Sequence, residues 1–176
     1  QPVSLPGLAP VAVGAHPAYP DLAGFGRRSM TLQPQEIIAN LHYQLAALEG
    51  MARCEGLALA YVKPHGALYH DTMAKPGVRA AILQGIATYH LPLPLVVQAT
   101  AVADAHREEA AALGVRLLFE AFADRRYADD GGLLSRQLPG SVLDRGQTLA
   151  QVAQLRREGT VTTVGGERLA LRADTL

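Results

Sequence analysis

Four short apolar segments alternate with four amphipathic segments along the 176-residue chain. This alternation predicts an α/β fold with parallel strands. The apolar segments are nearly continuous, as in strands that are covered on both faces. Because four strand–helix units are too few for a closed eight-unit barrel, we expect either an open doubly wound sheet or an incomplete (β/α) barrel.

The predicted elements follow an irregular N-terminal segment, residues 1–10. The first strand is Val11–Ala15, and a loop of residues 16–33 leads to a helix that begins at Pro34 and ends at Gly56. The other elements are strands at 57–62, 93–98 and 115–119, helices at 76–89, 102–113 and 147–158, and a closing hairpin at 161–172. We treat residues 11–176 as one partial β/α barrel domain.

Apolar residues at helical spacing support the predicted helices. In the first helix they are Ile37, Leu41, Leu45, Leu48 and Met51. In the second helix they are Val78, Ile82, Ile86 and Tyr89, and in the last they are Leu149, Val152 and Leu155.

Composition excludes several classes of protein. The chain is 49% hydrophobic and 18% charged, which indicates a folded globular protein. Its formal net charge is zero, so neither nucleic acid nor an anionic membrane is an expected partner. No apolar run reaches the roughly 18 residues of a membrane span. The single cysteine, Cys54, favours a reducing compartment, and we expect a cytoplasmic protein. The start has no signal-peptide pattern and no Met, so we expect a piece of a longer protein.

Ionisable and aromatic residues follow three of the four predicted strands. They are His16, Tyr19, Asp21, Arg27 and Arg28 after the first strand, Lys63, His65, Tyr69 and His70 after the second, and Glu120, Asp124, Arg125 and Arg126 after the fourth. The helix-to-strand loops carry far fewer such residues. Because function collects at the C-terminal ends of parallel strands, we expect one site at that edge of the sheet.

The residue types suggest general acid–base chemistry at this site. His16 and His65 are candidate acid–base groups or metal ligands, and Lys63 is a candidate for stabilising an oxyanion or phosphate. Glu120 could bind a metal, act as a base or pair with Arg125. The candidate substrate-binding residues are Tyr19, Asp21, Arg27, Tyr69 and Arg125. The alternative for each histidine alone is a hydrogen-bonded loop residue, and for Lys63 it is a structural ion pair.

Other catalytic patterns do not occur in the sequence. It contains no GxSxG elbow, no GxGxxG after a strand and no GxxxxGK[ST] phosphate loop. It also contains neither HExxH nor HxxxH. A site of dispersed histidines and carboxylates, with or without a metal, therefore remains.

Four segments resemble the LamB/YcsF family, and together they extend from Val11 to Leu176. They are "VAVGAHPAYPDLAGFGRRSM", "VKPHGALYHD", "FEAFADRRYADDGGLLSRQLPGSVL" and "LRADTL". The resemblance implies a (β/α) barrel similar to that of glycoside hydrolases and polysaccharide deacetylases. It also implies ATP-dependent opening of the lactam ring of 5-oxo-L-proline to L-glutamate, with Mg²⁺ accompanying ATP and with B and C partner subunits.

The chain departs from the family pattern at both ends. The family's "NxDxGE" and "GFHAGD" types of segment do not occur before Val11, and its "VHGD" type of segment does not follow "RADTL". We therefore expect an incomplete barrel that lacks catalytic competence alone. Three points are left open: a homo-oligomer, a protein-bound metal, and which of the subunits binds ATP. The alternative functions are a metal-dependent deacetylase, which the absence of HxxxH disfavours, and a non-catalytic scaffold within the complex.

Overall fold

The structure is a computed structural model that describes residues 11–176. The predicted irregular segment 1–10 lies outside the described residues. The helices are α1 (Pro34–Cys54), α2 (Gly66–Ala74), α3 (Pro76–Ala87), α4 (Ala103–Ala111) and α5 (Arg145–Glu158). The strands are β1 (Val13–Ala15), β2 (Leu59–Val62), β3 (Leu95–Gln98), β4 (Leu117–Glu120), β5 (Thr160–Thr162) and β6 (Arg168–Ala170).

Strands β1 to β4 form one sheet in sequential order. The β1–β2 and β2–β3 pairs are parallel, with Gly14 opposite Tyr61 and Val62 opposite Leu95. A Cβ at Gly14 would lie 2.1 Å from the Tyr61 ring, so the position of that ring over β1 depends on glycine there. The predicted α/β fold with parallel strands is confirmed, and the four-stranded sheet is open rather than closed into a barrel.

The last residues of the chain run beside β4. Thr175 pairs in parallel with Glu120, and Ala121 N–H donates to the Thr175 carbonyl at 2.9 Å. Asp174 N–H donates to the Phe119 carbonyl at 2.7 Å, and its carboxylate accepts from Phe119 N–H at 2.8 Å. The "RADTL" segment thus occupies a further strand position next to β4.

The strands are shorter than predicted. Each of the four begins two residues after its predicted start, and β4 ends on Glu120 rather than before it. All four residues of β3 are buried, as a strand covered on both faces requires. In β2, however, Ala60 is exposed, so that prediction was wrong for this strand.

Helix α1 begins at Pro34 as predicted, and Gln33 N–H donates to the Glu36 carboxylate at 2.7 Å, closing the first turn. Ile37, Leu41 and Leu45 are buried. The predicted stripe was wrong further on, because Met51 is 70% exposed whereas Glu49 is buried. Glu49 tolerates burial because the Tyr89 hydroxyl donates to it at 2.5 Å and His90 Nε2 lies 3.1 Å away.

Helix α2 was not predicted, since no element was assigned between the predicted strand at 57–62 and the predicted helix at 76–89. It buries Ala67, Leu68 and Tyr69 together with Asp71 and Thr72. Two of its five buried residues are polar, so the segment lacks the apolar stripe by which helices are recognised.

Helix α5 and the closing hairpin match the predicted elements, but α5 buries a different residue from those expected. Asp144 caps α5 by accepting from Gln147 N–H at 2.8 Å, and Gly159 ends it at φ 65°. Leu149 of the predicted stripe is 61% exposed, whereas Gln151 is buried. Strands β5 and β6 pair antiparallel, as predicted for the hairpin.

The described chain divides into two compact units. Residues 11–97 and 108–117 form the first, and residues 98–107 and 118–176 form the second. The assignment of residues 11–176 to a single domain stays a prediction. None of the helices among the described residues is both long and apolar enough to cross a membrane.

Candidate active site

In the first unit, the ends of β1 and β2 place His16 and His65 side by side. The parallel hydrogen bonds continue past the strands, because Lys63 N–H donates to the Ala15 carbonyl and His65 N–H donates to the Pro17 carbonyl, both at 2.8 Å. His16 Nε2 and His65 Nδ1 are 2.9 Å apart. The ring centroids are 4.8 Å apart in an edge-on arrangement. The two histidines predicted to share a site are therefore in direct contact.

The outer nitrogen of each ring faces a backbone carbonyl. His16 Nδ1 lies 2.6 Å from the Lys63 carbonyl oxygen, and His65 Nε2 lies 2.9 Å from the Phe25 carbonyl oxygen. A carbonyl oxygen only accepts hydrogen bonds, so each outer nitrogen donates to its carbonyl in the tautomer that places the ring hydrogen there. These contacts orient both rings.

Two glycines allow the 16–33 loop to approach His65. Phe25 and Gly26 both have positive φ angles, 54° and 65°, and their carbonyls accept from His65 and from Ala67 N–H. Gly66 also has a positive φ, 55°, and a Cβ there would lie 2.6 Å from the Gly26 carbonyl oxygen. The Phe25 ring lies edge-on to His65 at 5.2 Å.

Asp21 holds this loop in shape. Its carboxylate accepts from Gly24 N–H at 2.9 Å, from Arg28 N–H at 3.3 Å and from the Arg28 guanidinium. The hydrogen bonds from Arg28 lower the pKa of Asp21 to about 2. These contacts favour a loop-holding role for Asp21.

Asp71 of α2 connects the two ends of the same loop. Its Oδ2 accepts from the Tyr19 hydroxyl at 2.8 Å, the Ser29 hydroxyl at 2.6 Å and Lys75 Nζ at 2.9 Å. Burial alone would raise the pKa of Asp71, but the hydrogen bonds from Ser29, Lys75 and Tyr19 outweigh it and lower that pKa. Burial and the same carboxylate raise the pKa of Tyr19, so Tyr19 acts as a hydrogen-bond donor.

The remaining first-unit candidates lie around the histidine pair. Lys63 is half-buried, and its carbonyl holds His16. Arg27 is exposed, with its guanidinium carbon 5.5 Å from the Phe25 ring centroid. Tyr69 is buried on α2, and His70 is exposed beside it.

In the second unit, Glu120 and Arg125 are buried near the end of β4. The Glu120 carbonyl accepts from Ala99 N–H at 2.8 Å. Arg125 is only 4% exposed, and it donates to the Leu134 carbonyl at 2.6 Å. Its Nε has no hydrogen-bond partner within residues 11–176. Burial, and secondarily Arg136, lowers the pKa of Arg125. A buried guanidinium whose charge is disfavoured by burial favours an anionic partner.

Tyr127 and Gln151 hold the segment around Arg125. The fully buried Tyr127 hydroxyl accepts from Phe122 N–H at 2.8 Å. The Gln151 amide donates to the carbonyls of Phe122, Ala123 and Arg125. Of the other candidates in this segment, Asp124 is exposed, and Arg126 Nε donates to the Gly140 carbonyl at 3.0 Å.

The described residues contain no group of three or more His, Cys, Asp or Glu side chains arranged to hold a metal ion. A metal at His16 and His65 stays a prediction. An open pocket of about 480 Å³ lies on the 16–33 loop, lined by residues 20–23 and 28–30. Neither histidine lines it, so we do not assign the reaction to this pocket.

Sequence reasoning missed Asp71, Ser29 and the Phe25 carbonyl as parts of the site. Asp71 and Lys75 are four residues apart, the spacing of a helical ion pair, and this signal could have indicated both α2 and its role. The Phe25 carbonyl had no sequence signal, because its position depends on two consecutive residues with positive φ.

Comparisons with known proteins agree on one family. The model of the LamB/YcsF family matches residues 3–176. The chain is 50% identical over 167 residues to a 5-oxoprolinase A subunit of Pseudomonas fluorescens Pf-5, and equally so to one of Pseudomonas putida KT2440. These matches cover 94% of this chain and 67% and 65% of the relatives, so the chain spans about two thirds of their length.

A solved structure gives the same result for the fold. The crystal structure of a lactam utilization protein from Thermus thermophilus matches with a TM-score of 0.84 and 42% identity. The match covers 94% of this chain and 66% of that one. From its sequence and its fold, this chain belongs to the LamB/YcsF family.

Proposed function

We propose that the full-length protein is the A subunit of an ATP-dependent 5-oxoprolinase, which hydrolyses the lactam of 5-oxo-L-proline to L-glutamate together with B and C subunits. The observation that carries this proposal is the 50% identity, over 94% of the chain, to proteins named as that subunit. The name of the Thermus thermophilus structure also refers to a lactam. A reaction that consumes ATP suits the cytoplasm, where we place the complex.

The chemistry of lactam opening matches the side chains at the strand ends. When the ring C–N bond breaks, the electron pair goes to nitrogen, which needs a proton, and the attacking water must lose one. His16 and His65 supply an acid–base pair for these transfers. Lys63 is a proposed cation for the developing negative charge. In the second unit, Glu120 is a proposed group that orients water.

The proposed substrate-binding residues differ in their burial and in the contacts that they already make. Arg125 is a buried guanidinium suited to a carboxylate, and Arg27 is an exposed one. Tyr69 is proposed to line the site from α2. Tyr19 and Asp21 hold the loop around the substrate, since both side chains already have partners in that loop or in α2.

ATP and Mg²⁺ enter this proposal through the family resemblance. ATP would supply the driving force by transferring a phosphoryl group to the amide oxygen of the lactam, with release of ADP. The described residues offer neither a carboxylate cluster for Mg²⁺ nor a glycine-rich phosphate loop, so we assign no residue of this chain to the nucleotide.

The proposal is tested by reconstitution. We expect 5-oxoproline-dependent ATP hydrolysis when the full-length protein is mixed with its candidate B and C subunits, and none when any one of the three is omitted. Because ATP hydrolysis alone could come from a contaminant, L-glutamate is measured in the same reaction.

A folded protein that produces no L-glutamate in any combination would contradict the assignment. Omitting 5-oxo-L-proline controls for uncoupled ATP hydrolysis. Activity by the full-length protein alone would contradict the proposed need for partners, while leaving the lactam chemistry in place.

A further inference from the structure

We propose that Phe25 and Arg27 determine substrate specificity beside His65, with the Phe25 ring against the methylene groups of the lactam and the Arg27 guanidinium on its carboxylate. The identity of the substrate rests on the proposed function. The inference starts from Phe25, which has a φ of 54° and whose side chain is 69% exposed. A bulky residue rarely adopts this backbone conformation, and a phenyl ring that stays in water contributes little to folding.

The backbone of the loop does not explain why position 25 carries a phenyl ring. The Phe25 carbonyl lies 2.9 Å from His65 Nε2, but glycine would present the same carbonyl without the conformational cost. Gly26 does this at the next position, where its carbonyl accepts from Ala67 N–H at a φ of 65°. Residues held in unfavourable conformations cluster at ligand-binding sites. We therefore assign the exposed ring a role in binding a ligand.

The Phe25 ring lies close to both a histidine and a cation. Its centroid is 5.2 Å from the His65 ring centroid, in an edge-on arrangement. The Arg27 guanidinium carbon is 5.5 Å from the same Phe25 centroid. A small ligand that packs against the phenyl ring is thus within reach of an acid–base side chain and of a positive charge.

Arg27 is available for an anion from outside the chain. In the described part of the protein it is exposed and forms no ion pair, and its guanidinium lies near the Phe25 ring. The carboxylates of this region already have cations, because Asp21 pairs with Arg28 and Asp71 pairs with Lys75. A guanidinium suits a carboxylate, which it can bind through two parallel hydrogen bonds.

5-Oxo-L-proline combines the two features that these side chains would recognise. Its ring carries apolar methylene groups, which pack favourably against a phenyl ring. Its carboxylate is repelled by the negative face of an aromatic ring and attracted by a guanidinium. With the methylene groups on Phe25 and the carboxylate on Arg27, the amide bond of the lactam is left to face His65.

The test is direct binding of two lactams to the full-length protein, with dissociation constants measured by ligand-observed NMR. 5-Oxo-L-proline has both the ring and the carboxylate, whereas 2-pyrrolidinone has the ring alone. We expect Phe25→Gly to weaken binding of both lactams about tenfold, because roughly two methylene groups lose their apolar cover. Arg27→Gln should weaken binding of 5-oxo-L-proline by about tenfold or more and leave 2-pyrrolidinone unchanged.

Stability separates this role from a structural one. Phe25→Gly removes the conformational cost of a positive φ, so its urea midpoint should equal or exceed that of the wild type. Leu22→Ala is the matched control, because Leu22 is a 99% exposed apolar residue of the same loop. This variant should bind both lactams like the wild type.

Four results would overturn the inference. They are a wild-type protein that binds neither lactam, a Phe25→Gly variant that binds both like the wild type, a Phe25→Gly variant with a lower urea midpoint, and an Arg27→Gln variant that does not discriminate between the two lactams. Failure of the proposed function is a different result, because it appears as the absence of L-glutamate from the reconstituted complex while the pattern of lactam binding is intact.

Discussion

At the scale of single residues, Asp71 is the side chain on which the 16–33 loop depends most. Its one oxygen Oδ2 accepts from Tyr19, Ser29 and Lys75. These donors come from both ends of the loop and from the end of α2, so one buried carboxylate connects three points of the chain. Asp71 is a positioning residue for the loop that contacts His65.

Asp71→Asn tests this role. The amide keeps the shape but removes the charge, and we expect a loss of about 1–3 kcal/mol in the free energy of unfolding, measured with urea near pH 7. Because folding lowers the pKa of Asp71, its contribution is present above the unfolded pKa and is lost as the pH falls through the folded value. The difference between the two proteins should therefore shrink in acid.

Ser29→Ala is the milder comparison, since it removes one of the three donors and leaves the carboxylate. A larger effect from Ser29→Ala than from Asp71→Asn would contradict the central place of Asp71.

Asp21 gives a second prediction at this scale, because the pKa of Asp21 falls from 3.8 to about 2 on folding. Asp21→Asn should lower the urea midpoint at neutral pH. Since a depressed pKa stabilises the fold above the unfolded value, the difference should fade between about pH 4 and pH 2.

Asp104→Asn is the matched control for Asp21→Asn. Asp104 also pairs with an arginine, Arg107, but its side chain is 74% exposed. An exposed pair contributes little, so this variant should unfold like the wild type. Equal effects of the two variants at neutral pH would contradict the loop-holding role of Asp21.

At the scale of the elements, the junction of β2 with α2 depends on Gly66. Gly66→Ala adds a Cβ 2.6 Å from the Gly26 carbonyl oxygen at a φ of 55°. We expect a loss of about 1–2 kcal/mol from the backbone conformation alone, measured by urea unfolding, and more from the clash.

Gly77→Ala in α3 should change the free energy of unfolding in the opposite direction. A Cβ at Gly77 meets no atom within 4 Å, so alanine should stabilise the protein by about 0.5–1 kcal/mol. Equal effects of Gly66→Ala and Gly77→Ala on the free energy of unfolding would contradict this role of Gly66.

In helix α5, two substitutions should affect stability in the reverse of the way that its sequence pattern indicates. Gln151→Leu removes the amide that donates to three carbonyls, and it should cost about 1–3 kcal/mol although it adds an apolar residue. Leu149→Gln should change the stability by less than about 0.5 kcal/mol, because Leu149 is exposed. If the apolar stripe faced the core instead, thermal or urea unfolding would show a larger loss of stability for Leu149→Gln than for Gln151→Leu.

These elements also show what sequence could reveal. The start of α1 at Pro34, the end of α5 at Gly159 and the β5–β6 hairpin carried local signals in their caps and turns. Helix α2 and the burial of Glu49 and Gln151 carried no such local signal. Those polar residues can be buried because groups distant in the sequence form hydrogen bonds with them. The pairing of His16 with His65 was predicted from strand order, but their hydrogen-bond geometry required coordinates.

At the scale of the whole molecule, the sheet supports the family assignment. Parallel strands in sequential order and the pairing of Thr175 with Glu120 match a fold in which strands are added one after another. The chain spans about two thirds of the length of its relatives. Activity is therefore a property to measure on the full-length protein with the proposed partner subunits.

The central claim is that the histidine pair performs the acid–base chemistry of lactam opening. The most direct test is L-glutamate formation by the reconstituted complex containing His65→Ala, with His42→Gln as a control histidine outside the site. We expect His65→Ala to lower the rate by about 10²-fold or more while the complex still assembles, and His42→Gln to match the wild type. A fully active His65→Ala complex would contradict the claim.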